Sequence, residues 1–247
     1  MEQTLINKKD IRVSDIQAWD IARVSNCALS EVYLMDCIDG MKHYPDKYFD
    51  LAVVDPPYGI GVDGAIHIRK PDRPSTWDMV EKYECKEWDR AIPTAEYWKE
   101  LFRVSKEQIV WGGNYFTEFL PPSKCWIFWD KLFDKTFNFS HGELAWTSFD
   151  KQLFKVTKSS KAETNGGKNR IHPTQKPVYL YDWCLKQFAD SDWKILDTHL
   201  GSGSSRIAAH KAGLDFVGFE IDREYYTSSN KRFTNYVAQG VLFSAQR

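Results

Sequence analysis

The stretch from Lys194 to Asp222 constrains the fold of this chain more than any other. A short apolar run, Lys194–Leu196, leads into Asp197-Thr198-His199-Leu200-Gly201-Ser202-Gly203-Ser204. A helical pattern over Ser202–Ala212 follows, and a second apolar run, Phe216–Phe219, closes on Glu220-Ile221-Asp222. Strand, glycine turn, helix, strand and terminal acid form the layout of a nucleotide-binding βαβ unit. The glycines permit a tight turn and a close backbone approach, and the helix N-terminus offers N–H groups to a ligand. Glu220 lies 19 residues beyond Gly201, where an acid at the end of the second strand can accept ribose hydroxyls. The motif is neither GxGxxG nor GxxxxGK[ST], and it carries no lysine to neutralise a triphosphate. An adenosine-containing ligand with little phosphate charge fits better, and S-adenosylmethionine is such a molecule. A Gly-Ser-Gly by itself is also an ordinary turn.

The same alternation runs through most of the chain. Strands are expected at Glu31–Met35, Leu51–Val54, Gln108–Trp111, Cys125–Trp129 and Glu143–Thr147, seven with the two above. Helices are expected near Ile16–Val24, at Ile38–Tyr44, Ala95–Phe102 and Pro177–Ala189, and at Arg223–Val237. Residues 59–93, rich in Gly, Pro, Arg and Trp and without periodicity, read as a long inserted loop, and residues 150–170 as a polar connector. The expectation is a single α/β domain over residues 1–247. Its mixed, mostly parallel seven-stranded sheet would carry helices on both faces. Residues 31–149 form one half, 150–170 a variable segment and 171–238 the other half.

At the carboxyl end of Leu51–Val54 stands Asp55-Pro56-Pro57-Tyr58. Ligands of open α/β sheets bind at that edge. Two prolines stiffen the backbone and remove N–H donors, so the Asp55 carboxylate and the Pro56 carbonyl become adjacent acceptors suited to one –NH2 group. Tyr58 offers a flat face for stacking. Alone, such a tetrapeptide is also an ordinary turn.

Charge is nearly balanced at −1, but unevenly. Between Lys151 and Lys176 seven basic residues face one acid, Glu163, for a local excess of +6. Such a stripe suits a polyanion or a solvated loop. Five cysteines without a CxxC pair suggest neither a disulfide framework nor a zinc site, and no metal is expected. No apolar run of 18 residues occurs, and MEQTLINKKD is not a signal peptide, so a soluble, cytoplasmic protein without membrane contact is expected.

Asp55-Pro-Pro-Tyr58, His172-Pro-Thr-Gln-Lys176-Pro177 and Gly201-Ser-Gly203, in this order, resemble the β class of DNA amino-methyltransferases, the permuted group in which the catalytic motif precedes the cofactor motif. Leu34-Met-Asp36-Cys37 and Gly142-Glu-Leu-Ala-Trp-Thr147 add to the likeness, which spans roughly residues 31–237. It implies a Rossmann-like methyltransferase fold, S-adenosylmethionine as cofactor and double-stranded DNA as partner, with the target base flipped out of the helix. The activity implied is methylation of N6 of adenine. N4 of cytosine is the nearest alternative, since members with that activity more often carry Ser in place of Asp55. RNA adenine methylation, usually with Trp in place of Tyr58, and an inactive nucleic-acid-binding subunit are more distant ones.

In the implied site Asp55 and the Pro56 carbonyl hold the amine, with Pro57 stiffening the turn and Tyr58 stacking on the base. Asp36 accepts from the cofactor adenine beside Cys37. Asp197, Thr198, Gly201, Ser202, Gly203 and Ser204 line its methionine end. Glu220 takes the ribose, next to Ile221 and Asp222, and Thr174, Gln175 and Lys176 meet the amino-acid portion. DNA would lie across Lys155, Lys158, Lys161 and Arg170 and the loop bearing Arg69, Lys70 and Arg73. A bacterial or phage origin, a homodimer and a cognate restriction enzyme are further implications. The chain departs from the usual Asp-Pro-Phe of the cofactor strand, reading Asp197-Thr198-His199 instead.

Overall fold

The computed structural model describes residues 28–61, 89–132, 140–159 and 170–244. The helix expected near Ile16–Val24 and most of the 59–93 insertion lie outside the described residues. The strands are β1 (Ser30–Leu34), β2 (Phe49–Val54), β3 (Ser105–Trp111), β4 (Trp126–Asp130), β5 (Gly142–Thr147), β6 (Phe154–Thr157), β7 (Lys194–Asp197) and β8 (Asp215–Glu220). The helices are α1 (Cys37–Met41), α2 (Ala95–Val104), α3 (Val178–Phe188), α4 (Ser204–Ala212) and α5 (Arg223–Ser244).

One sheet takes all eight strands in the order β1-β8-β7-β2-β3-β5-β4-β6. Pairing is parallel except at β3–β5 and β5–β4. The eighth strand corrects the expected seven. β6 lies inside the stretch read as a connector, pairing in parallel with β4 from Phe154 opposite Ile127 to Thr157 opposite Asp130. Its pattern was hidden because only Val156 of its four residues is fully buried and the flanking sequence is polar. α5 also runs on past the expected Val237.

β2 shows why the centre of the sheet reads as continuous apolar sequence. Leu51 and Val53 join the core under α3 and α4, whereas Ala52 and Val54 join the core under α1 and α2. Successive side chains point to opposite faces, so a strand covered on both sides is apolar at every position. α2 presents Tyr97, Trp98, Leu101 and Val104 to that second core, the spacing of one helical face.

The parallel run β1-β8-β7-β2 fixes where a site can form. Its carboxyl ends deliver Asp36, Glu220, Asp197 and Asp55 to one edge of the sheet, within one or two residues of each strand's last residue. α4, which starts from the glycine turn at that edge, is anchored by Arg206, only 7% exposed. Its guanidinium donates to Ser30 Oγ at 2.9 Å, to the Ser30 carbonyl at 3.1 Å and to Asn230 Oδ1 at 2.8 Å, and it lies 3.8 Å from the Phe233 ring centre. Lysine keeps the charge but not the planar fork. Arg206→Lys is therefore expected to cost about 1–3 kcal/mol of stability, read as a lower urea midpoint with an unchanged slope.

Candidate active site

Along that edge lies a cavity of about 450 Å³, in the range of small-molecule sites, about 300–1,000 Å³. Asp36, Cys37, Asp55, Pro57, Thr174, Gln175, Lys176, Thr198, Gly201, Ser202, Glu220, Ile221 and Asp222 line it, all expected from sequence. Met35, His172, Tyr181, His199, Leu200, Phe219 and Tyr225 also line it, and those were not.

Glu220 is the most completely fixed wall. Its Oε2 accepts from the Gly201 N–H and its Oε1 from the Asp222 N–H, each at 2.8 Å. Burial raises its pKa, against which the two N–H donors work. Each oxygen keeps a second lone pair, so the carboxylate can still accept from a vicinal diol. The turn it braces needs glycine, with φ of +49° at Gly201 and +70° at Gly203. Asp36 caps α1 through its Oδ1, which accepts from the Ile38 N–H at 2.8 Å.

Other expected cofactor residues are placed differently. Asp197, Gly203 and Ser204 do not line the cavity. Asp197 is buried beneath the turn, accepting from the His199 N–H at 3.0 Å and from Ser205 Oγ at 2.5 Å. Burial pushes its pKa up to about 7. Ser204 turns away to Ser202 and Arg232. These residues shape the turn from behind. Burial holds His199 neutral, with a pKa lowered to about 4. It acts as an uncharged ring, edge-on to Tyr97 at 5.4 Å, with Nδ1 2.9 Å from Thr198 Oγ1.

At the Asp55 end, Lys176 departs most from expectation. Its ammonium is 2.5 Å from Asp55 Oδ2 and 3.1 Å from Glu143 Oε2, and it donates to the Tyr58 hydroxyl at 3.0 Å. The Tyr58 hydroxyl in turn donates to Asp55 Oδ1 at 2.6 Å. The Tyr58 ring is stacked on Tyr115, 4.8 Å between centres and 15° between planes. Gly112 makes room for it, since at φ +69° an added Cβ would lie 2.2 Å from the ring. The Tyr58 and Gly59 N–H groups both donate to Asp89 Oδ1, at 2.7 and 2.9 Å. Pro56 and Tyr58 do not line the cavity.

Of the residues expected on DNA, Arg69, Lys70, Arg73 and Lys161 lie outside the described residues. Lys155 pairs with Asp130 at 3.0 Å, Lys158 lies over the Tyr179 ring at 4.2 Å, and Arg170 is half-buried. Among the described residues no group of acids, histidines and cysteines could hold a metal, and no helix is long and apolar enough to cross a membrane.

The cavity suits S-adenosylmethionine. The charge of Lys176, the one lysine or arginine in its lining among the described residues, is already matched by two carboxylates, leaving little to hold a phosphate. Asp36, Asp55, Glu220 and Asp222 suit a sulfonium and an ammonium. The fold is that of S-adenosylmethionine-dependent methyltransferases, and the cavity suits that cofactor. The family model described as "DNA methylase" matches residues 118–231. The chain is 25% identical to the Type II methyltransferase M2.MboI of Moraxella bovis, over 82% of this chain and 86% of that protein. It is 26% identical to the Type II methyltransferase M.HinfI of Haemophilus influenzae, over 84% and 69%. In structure it is similar to the M1.HpyAVI–SAM complex, with a TM-score of 0.54 at 16% identity over 82% of this chain and 98% of that one. It is also similar to the cytosine-N4-specific PvuII DNA methyltransferase, with a TM-score of 0.52 at 13% identity over 84% and 88%. The family model and both relatives support a DNA amino-methyltransferase family for this chain.

Glu220→Ala removes a carboxylate from the cavity wall and the brace on Gly201. S-adenosylmethionine affinity measured by calorimetry is expected to fall about tenfold to a hundredfold, equivalent to about 1.4–2.8 kcal/mol. Unchanged affinity would place the cofactor elsewhere.

Proposed function

We propose that this protein methylates N6 of adenine in double-stranded DNA, acting on a base flipped out of the duplex. The observation that carries this reading is the Asp55 carboxylate at the carboxyl end of β2, on the wall of the cavity that suits the cofactor. Bound S-adenosylmethionine supplies an electrophilic methyl group on a cationic sulfur. The Asp55 carboxylate and the Pro56 carbonyl accept the two amine hydrogens, which aims the nitrogen lone pair at that methyl. The Asp55 carboxylate and the Pro56 carbonyl would hold the amine while its nitrogen gains positive charge, and the surplus proton would leave to water. Fixed acceptors beside that growing charge need little reorganisation, so positioning and electrostatics supply most of the catalysis.

Adenine is favoured over cytosine because Asp, not Ser, stands at position 55. The intact Asp55, Pro56, Tyr58 and Gly201 disfavour an inactive scaffold, and Tyr in place of Trp at position 58 disfavours RNA. The Type II methyltransferases it is similar to support DNA as substrate. Local patches must supply the attraction to DNA, since the net charge is only −1. The segment around Lys155, Lys158, Lys161 and Arg170 and the loop with Arg69, Lys70 and Arg73 are the proposed contacts. A homodimer and a cognate restriction enzyme are further proposals, supported by the family likeness alone.

Asp55→Ala is expected to lower methyl transfer to DNA a hundredfold or more, a loss of about 3 kcal/mol, with the cofactor still bound. Near-normal turnover would assign catalysis to another group.

A further inference from the structure

Four charges of alternating sign run inward from the cavity wall: Asp55, Lys176, Glu143 and Lys131. They come from four separated places: the end of β2, the segment before α3, the start of β5 and the residue after β4. Lys176 is only 5% exposed, with the Tyr58 and Trp111 ring centres 5.4 and 5.6 Å from its ammonium. Burying an ammonium is costly unless it is paired and hydrogen-bonded. Here two carboxylates and a phenol oxygen surround it.

We propose that Lys176 is a positioning residue of methyl transfer, holding the Asp55 carboxylate ionised and oriented toward the amine, with Glu143 setting how strongly it does so. This rests on the reading of Asp55 as the amine acceptor. A lysine serving only the cofactor's carboxylate would not need Glu143 behind it or Asp55 in contact. Lys176 on Oδ2 and the Tyr58 hydroxyl on Oδ1 fix the plane of the carboxylate from both sides.

Electrostatics agrees with the geometry. Burial pushes Asp55 toward protonation, Lys176 opposes that shift, and Glu143 adds to it. Between its two lysines Glu143 stays ionised, with a pKa lowered to about 2. The two carboxylates raise the pKa of Lys176, which keeps it charged. Among the described residues, other titratable groups acting on Asp55 include Tyr58 on its own loop, Tyr97 from α2, Tyr181 from α3 and Asp197 from β7. Burial holds the three tyrosines neutral. Asp197, raised to about 7, adds its charge only near and above neutrality.

Replacing the two partners of the clamp must therefore move Asp55 in opposite directions. The experiment compares the full chain with Lys176→Met, Glu143→Gln and the conservative Lys176→Arg. It reads the pH dependence of kcat/KM for methyl transfer to DNA, the affinity for S-adenosylmethionine, and the carbon-13 titration of the Asp55 carboxyl in the free protein. Lys176→Met is expected to move the acid limb of kcat/KM up by about one pH unit or more. It should also lower kcat about tenfold to a hundredfold. Glu143→Gln is expected to move the acid limb down. Both variants should bind the cofactor within about threefold of the parent, and Lys176→Arg should recover much of the lost rate.

A loss of cofactor affinity in Lys176→Met with an unmoved acid limb would overturn the proposal and return the lysine to the cofactor. Shifts of the same sign in both variants would overturn it too. If Lys176→Met fails to fold, the downward shift in Glu143→Gln still decides the matter. The carboxyl titration needs no turnover. Opposite shifts in a protein that methylates no DNA would therefore support the clamp and count against the functional reading alone.

Discussion

The parallel register of β1, β8, β7 and β2 is the constraint on which the site depends. Strands that run the same way end at the same edge, and each of these four ends within two residues of an acid: Asp36, Glu220, Asp197 and Asp55. Gathering four carboxyl groups at the edge of an apolar sheet is electrostatically unfavourable, and each is treated differently. Asp36 spends one oxygen on a helix cap, Glu220 is spanned by two backbone N–H groups, Asp197 is buried and pushed toward neutrality, and Asp55 is matched to a lysine. The result is a cavity whose acids suit a sulfonium and in whose described lining the buried Lys176 is paired with Asp55.

This division explains why two groups of residues that look alike in sequence serve different ends. Asp197 and Gly203 belong to the same motif as Gly201, yet they support the turn from beneath, with Ser205 and Ser229 as their neighbours. Glu220 works from the front. Changes behind the turn alter the cavity only through the shape of the turn, whereas changes at Glu220 alter its wall. His199, where the family usually has an aromatic, fits the same scheme because burial keeps its imidazole uncharged.

Features governed by local rules were legible in the sequence. The double-sided burial of β2 shows as the unbroken run Leu51–Val54, the glycine turn as Gly201-Ser-Gly203, and the acid closing β2 as Asp55. What required coordinates is contact between distant segments. β6 is too short and too exposed to stand out from its polar surroundings. Lys176 sits in a motif that pointed to the cofactor, yet its charge is claimed by Asp55, 121 positions away, and by Glu143. Glu143 had a faint signal, as a charged residue opening the apolar strand Gly142–Thr147. Tyr115 follows the pair Gly112-Gly113 at the end of β3, the same punctuation that marks the cofactor turn, but its stacking on Tyr58 depends on the fold.

On the proposed function this edge of the sheet holds N6 of a DNA adenine against Asp55. Nucleoside mass spectrometry on DNA from cells expressing the chain, beside cells expressing Asp55→Ala, tests it most directly. N6-methyladenine is expected in the first sample and not in the second. N4-methylcytosine alone, or no modified base in either sample, would contradict it.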